Sequence, residues 1–270
     1  MQLGLRIALV AFLVVSGGCR PRLLGLLDSP SFTARDVLED VRQAHSGGRR
    51  VLSMQFMSEE NFHAGTGELF YPELAPSFTA LSFYDFEKRL AWQKAARGQQ
   101  SVLWSWDGTQ LKTLWNGQPY TPRLGVDRSI HLRALLLLLQ PADGVARSSA
   151  ELVRVADKQG RPRIRARGVD ATIPECVLEV DPETSLLTAV EYRLREIPPL
   201  VNQRMELSDY REINGVMVPH QITETLPSNG AGVEFHSMSL WNVEVAVASA
   251  YPGTLEPRSA APTPPRAAVQ

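Results

Sequence analysis

The 270-residue chain has only two cysteines, Cys19 and Cys176. If Cys19 is consumed by modification, no intrachain disulfide is left, and stability has to come from a buried core. An excess of either charge is also missing, with 28 Lys+Arg against 29 Asp+Glu. No basic field therefore exists to hold nucleic acid. Apolar runs are short: Ile7 to Val15 and Leu135 to Leu139 both fall well below the roughly twenty residues of a membrane-spanning helix. The signatures of common chemistry are absent too: no Gly-x-Ser-x-Gly elbow, His-Glu-x-x-His pair, phosphate-binding Gly-x-x-x-x-Gly-Lys or Cys-x-x-Cys occurs. His45, His63, His131, His220 and His236 are scattered without metal-ligand spacing and are read as surface or capping residues. The expectation is no catalytic residue, no metal and no cofactor. Glu59-Glu60 and Asp85 with Glu87 are read as solvated turn acids, and Cys176 as a buried strand residue.

What is present begins at the N-terminus. Arg6 precedes the apolar run Ile7 to Val15, and Ser16-Gly17-Gly18-Cys19 follows. A charged start, a short apolar run and small residues make a secretory signal over 1–18. With Cys19 next, the stretch resembles that of bacterial lipoproteins, although Ser16 stands where a branched apolar residue is usual. The resemblance implies that Cys19 is acylated and anchors the chain, and Arg20 in place of an Asp implies the outer membrane, facing the periplasm. Two or more acyl chains hold a protein on a bilayer where one does not. A plain secreted protein and an uncleaved anchor are the other readings of the same stretch.

Residues 19–30, with Pro21, Gly25 and Pro30, read as a tether, and 249–270, rich in Pro and Ala, as a disordered tail. Between them, 31–248 is expected to form one domain. Thr33 is a good N-cap with Asp36 at the third helical position; Ala34, Val37, Leu38 and Val41 make an apolar face, and Gly47-Gly48 ends the helix. A second helix is expected over 129–140, stopped by Pro141. The remainder alternates as strands. Asp107-Gly108 and Asn116-Gly117 bracket a three-strand meander over 101–120. A two-residue turn at Asp107-Gly108 sets Trp104 opposite Leu111 and places Val102, Trp104, Trp106, Leu111 and Trp115 on one face. Asn214-Gly215 marks a second hairpin, in which Asp209 faces His220 as a structural pair. Asp181-Pro182 turns between strands 175–180 and 186–194, and 231–247 is a long last strand with Trp241. The fold class is α+β, a large curved antiparallel sheet with covering helices.

The order of elements, with the Trp106-Asp107-Gly108 hairpin, Val180-Asp181-Pro182-Glu183-Thr184, the stretch Tyr210 to Pro219 and a last strand through Trp241-Asn242-Val243, resembles the LolA/LolB-like superfamily of lipoprotein carriers, receptors and sensors. The resemblance covers about 50–245. It implies an unclosed half-barrel whose helix-covered concave face holds acyl chains, and a non-enzymatic protein that binds lipid or acylated lipoprotein in transport, sorting or sensing. Val102, Trp104, Trp106, Leu111 and Trp115 fit the wall of such a cavity and fit equally a solid core under the helix. The alternative function is a structural or assembly lipoprotein that holds an envelope protein partner. Replacing the anchor tests the N-terminal reading: Cys19→Ser should move the protein from the membrane fraction to the soluble fraction, and continued membrane association would contradict acylation.

Overall fold

A computed structural model describes residues 33–63, 76–120, 139–194, 202–228 and 231–248. Helix α1 (Ala34–Ser46) starts in a capping box: Thr33 Oγ1 accepts from the Asp36 N–H at 3.3 Å, and the Asp36 carboxylate accepts from the Thr33 N–H at 2.8 Å. Ala34, Val37, Leu38 and Val41 are buried along one face, and Gly47 closes the helix in the left-handed conformation. The second described helix, α2 (Pro141–Arg147), corrects the sequence reading. Pro141 opens a helix, and the expected helix does not reach Gln140. Proline at the first helical position lacks only an N–H that would have no partner there, and its φ is already helical. Residues 129–138 of the expected helix lie outside the described residues, as do Cys19, the tether and the tail; Leu139 and Gln140 form a turn. No described helix is long and apolar enough to cross a membrane.

The strands form one antiparallel sheet. Its first half comprises β1 (Val51–Phe62), β2 (Ser77–Asp85), β3 (Leu90–Arg97), β4 (Gln100–Trp106), β5 (Leu111–Trp115) and β6 (Gln118–Pro119). The second half comprises β7 (Glu151–Lys158), β8 (Arg161–Arg167), β9 (Glu175–Val180), β10 (Leu187–Tyr192), β11 (Gln203–Ile213), β12 (Val216–Ser228) and β13 (Ala231–Val247). Each half is a meander, and β1 pairs with β13 along a seam from Val51↔Val247 to Phe62↔His236. The edges β6 and β7 are not paired to each other, so the sheet is an unclosed half-barrel. Alternation along the strands turns Met54, Phe56, Phe78, Tyr84, Ile164 and Leu178 into one continuous core, against which α1 lies over β7, β8 and β12.

Two turns show how register is set. At Asn214-Gly215 both residues have positive φ, 51° and 72°, as a two-residue hairpin turn of right-handed twist requires, and Ile213 pairs with Val216 as the sequence implied. At Asp107-Gly108 the turn is longer. The Asp107 carboxylate accepts from the backbone N–H of Thr109 and of Gln110, so residues 107–110 form the loop and Trp106 pairs with Leu111. Trp104 therefore faces Thr113, not Leu111, and Val102 faces Trp115. A slip of two residues preserves the pleat, so the shared tryptophan face survives the correction.

The Asn214-Gly215 turn is also tied to α1. Arg49 donates to the Ser46 carbonyl at the end of the helix and to the Gly215 carbonyl at 2.6 Å. A Cβ on Gly215 would lie 1.6 Å from the Arg49 guanidinium. Gly215→Ala should cost roughly 1–2 kcal/mol in urea unfolding, combining left-handed strain with loss of the Arg49 contact. Combined with Arg49→Ala it should cost less than the two changes summed. An unchanged midpoint for Gly215→Ala would refute the strain.

Candidate functional site on the inner face

The inner face carries an aromatic path. Val102 and Trp104 are buried, Trp106 and Trp115 are half-buried, and Leu111 is placed opposite Trp106 by the β4–β5 register. The five sequence candidates thus fall on one face of two adjacent strands. From Trp104 the path continues to Phe78, with ring centroids 6.1 Å apart, then to Phe62 at 5.8 Å. Phe62 stacks on His236 at 4.6 Å. The distances are those at which aromatic rings attract beyond their area burial.

At His236 the apolar path meets a polar cluster that the sequence reading missed. His236 Nδ1 lies 2.7 Å from a Glu224 oxygen and Nε2 lies 3.0 Å from a Glu60 oxygen. Tyr192 donates its hydroxyl to Glu224 at 2.6 Å; Gln93 donates to Glu60 at 2.6 Å and to Ser82 at 3.0 Å; Ser58 donates to Glu60 at 3.3 Å. Glu60, Glu224 and His236 are each 0% exposed. The members come from β1, β2, β3, β10, β12 and β13, so the cluster runs across the middle of the sheet.

Burial opposes a charge on His236, but the hydrogen bonds and charges of Glu224 and Glu60 outweigh it and hold the imidazole pKa above its ordinary 6.5. Each ring nitrogen faces its own carboxylate, on opposite sides of the ring. The arrangement suits a cation clamped between two acids, with both nitrogens engaged. Among the described residues no three or more His, Cys, Asp or Glu side chains come together as a metal site.

Glu60, expected as a solvated turn acid, and His236, expected as a surface or capping residue, both lie in the interior instead. The signal was strand parity: Glu60 shares its parity with Met54, Phe56 and Phe62, and His236 shares its own with Met238 and Leu240. His45 and His220 are also buried rather than on the surface. His45 accepts the Leu187 N–H at 3.1 Å, and desolvation lowers its pKa to about 4, so it is neutral and pins α1 to β10. His220 bonds the Val218 carbonyl. Asp209, opposite it, spends its carboxylate on Arg211, so the two form no dyad. His63 is exposed, 3.1 Å from Glu234, as expected of a surface residue. His131 lies outside the described residues. Cys176 is buried, and desolvation followed by the charge of Glu175 pushes its thiol up to about 12, which leaves it protonated and unreactive.

No family model matches the chain, and no curated protein matches it. Among solved structures it is similar to a LolA superfamily protein from Nitrosomonas europaea, at 13% identity and a TM-score of 0.46, over 78% of this chain and 93% of that one. It is also similar to a DUF1329 family protein from Desulfovibrio piger, at 10% identity and a TM-score of 0.44, over 78% and 91%. A third similar structure is a putative outer membrane lipoprotein-sorting protein domain from Vibrio parahaemolyticus, at 9% identity and a TM-score of 0.40, over 79% and 92%.

The cluster predicts a pH signature. A histidine whose folded pKa is raised stabilises the fold fully below pH 6.5 and loses that contribution as pH rises through the folded value. His45, lowered to about 4, acts the other way and loses its contribution as pH falls from 6.5 toward 4. His236→Gln should cost about 3 kcal/mol or more at pH 6, because two buried carboxylates lose their cation. Measured against wild type by urea unfolding, the cost should shrink as pH rises above 6.5. A loss independent of pH would mean that His236 is neutral in the fold.

Proposed function

We propose that the chain is a non-enzymatic cell-envelope lipoprotein, tethered through Cys19, that binds an acyl chain along the inner face of its half-barrel. The observation that carries this reading is the continuity of the inner face. Trp115, Trp106 and Trp104 lead through Phe78 and Phe62 to the Glu60–His236–Glu224 cluster. An aromatic wall with few polar groups along it suits the chain of an acyl ligand. In this reading Val102, Trp104, Trp106, Leu111 and Trp115 form the apolar wall, and the cargo is lipid or acylated lipoprotein, received, carried or sensed. Placement at the outer membrane, facing the periplasm, follows from the lipoprotein-like signal and Arg20.

A second reading is an assembly lipoprotein that holds an envelope protein. It is favoured by β7, an edge strand with Val153 39% exposed and, among the described residues, one side of its backbone ladder unpaired. Native mass spectrometry of protein extracted from membranes, with displacement of a fluorescent fatty acid, separates the two. Bound acyl species and saturable probe binding are expected. Trp106→Ala, at a half-buried position where truncation perturbs the core less, should weaken the probe about tenfold. No bound acyl species and no probe binding, together with a crosslinked protein partner, would replace the first reading by the second.

A further inference from the structure

The outer face of the sheet carries charge in a different way. On β8, Ile164 and Ala166 point into the core, so Arg163, Arg165 and Arg167 stand in a row on the opposite face. Across β9 and β10 they meet Glu175 and Glu191, and Arg193 follows just beyond β10. These six residues line a pocket of about 470 Å³, in which Val177 supplies an apolar surface.

The pocket is not electrically balanced. Four guanidiniums face two carboxylates. Arg163 is satisfied in part by Glu191 at 2.7 Å, and Arg167 by Glu175 at 3.0 Å. Among the described residues Arg165 has only a long ion pair of 3.6 Å to Glu175, and its buried Nε has no hydrogen-bond partner. The Nε of Arg163 is likewise buried without one. Among the described residues Arg193 meets no carboxylate; its guanidinium donates only to the Asn202 side-chain oxygen, at 2.9 and 3.1 Å. The neighbouring arginines differ, since Arg161 pairs with Glu179, and Arg204 with Glu179, Glu206 and the shared Glu191, each at 3.0 or 3.1 Å. Two positive charges are left over, on planar donors that can bind an oxyanion two bonds at a time.

We propose that this pocket is a binding site for a dianionic phosphate group, carried by a phosphomonoester and gripped by Arg165 and Arg193. A surplus of two charges matches a phosphate monoester, whose charge near neutral pH approaches two. Buried donor atoms with no partner gain hydrogen bonds when the oxyanion enters. The site lies on the face opposite the aromatic path, so it stands whether or not an acyl chain binds there.

The test is calorimetric titration of the full chain with inorganic phosphate and with glycerol 3-phosphate at low salt. Saturable binding is expected, and Arg165→Gln and Arg193→Gln should each weaken it about tenfold. Neither variant should lower the thermal midpoint appreciably, because neither arginine makes a strong ion pair. Vesicles containing phosphatidic acid, against vesicles of phosphatidylcholine alone, identify the source. Selective capture by the first assigns a lipid headgroup, whereas phosphate binding without vesicle capture assigns a soluble phosphomonoester. No saturable binding of either phosphate, or binding unchanged in both variants, would overturn the site.

Discussion

An imidazole held between two carboxylates in the interior of a sheet constrains everything around it. Removing such charges from water is costly unless each finds its counterpart with good geometry. Here the counterparts arrive from different strands: Glu60 from β1, Glu224 from β12 and His236 from β13, with Tyr192 and Gln93 completing the set from β10 and β3. A slip of one residue in any of these strands would turn a charge to the outside, and a slip of two would leave a buried carboxylate unpaired. The cluster therefore specifies register at the seam between the two meanders, where no tight turn can do so.

The two faces of the sheet handle charge by opposite means. Inside, acids and imidazole are matched and sealed beneath aromatic rings. Outside, β8 carries a row of arginines, β9 and β10 carry glutamates, and β11 adds Arg204 and Glu206. There Glu179, held by Arg204 and Arg161, keeps its carboxyl below its usual range even though burial raises it. Of the arginines between β8 and β11, Arg165 and Arg193 are the ones held least by carboxylates among the described residues.

Much of the fold was legible because local chemistry set it. Thr33 with Asp36, Asn214-Gly215 and Asp181-Pro182 are each decided by a few neighbouring atoms, and the long last strand has boundaries of 231 and 247 in both sequence and structure. Where the reading erred, the deciding interaction lay elsewhere. The Asp107 side chain lengthened a turn that the dipeptide alone makes short. Pro141 reads alike as a stop and as a start. Glu60 and His236 look like surface residues by type, since charged groups are seldom fully buried without partners. Their partners are distant in sequence, and only parity within a correctly assigned strand would have turned them inward. The tryptophan face was legible for the converse reason, that a pleat keeps its sides through a shift of two residues.

The seam between β1 and β13 has a further consequence for how the molecule comes to exist. Glu60 and His236 are separated by 176 positions in sequence, and the central pairing of the sheet cannot form until both are present. Closing so long a loop is slow and brings no reward until the strands meet. Each meander can form its own hairpins, but the seam that joins them waits for the last strand. A chain built this way gains its central pairing late, only once the residues of both meanders are there to meet.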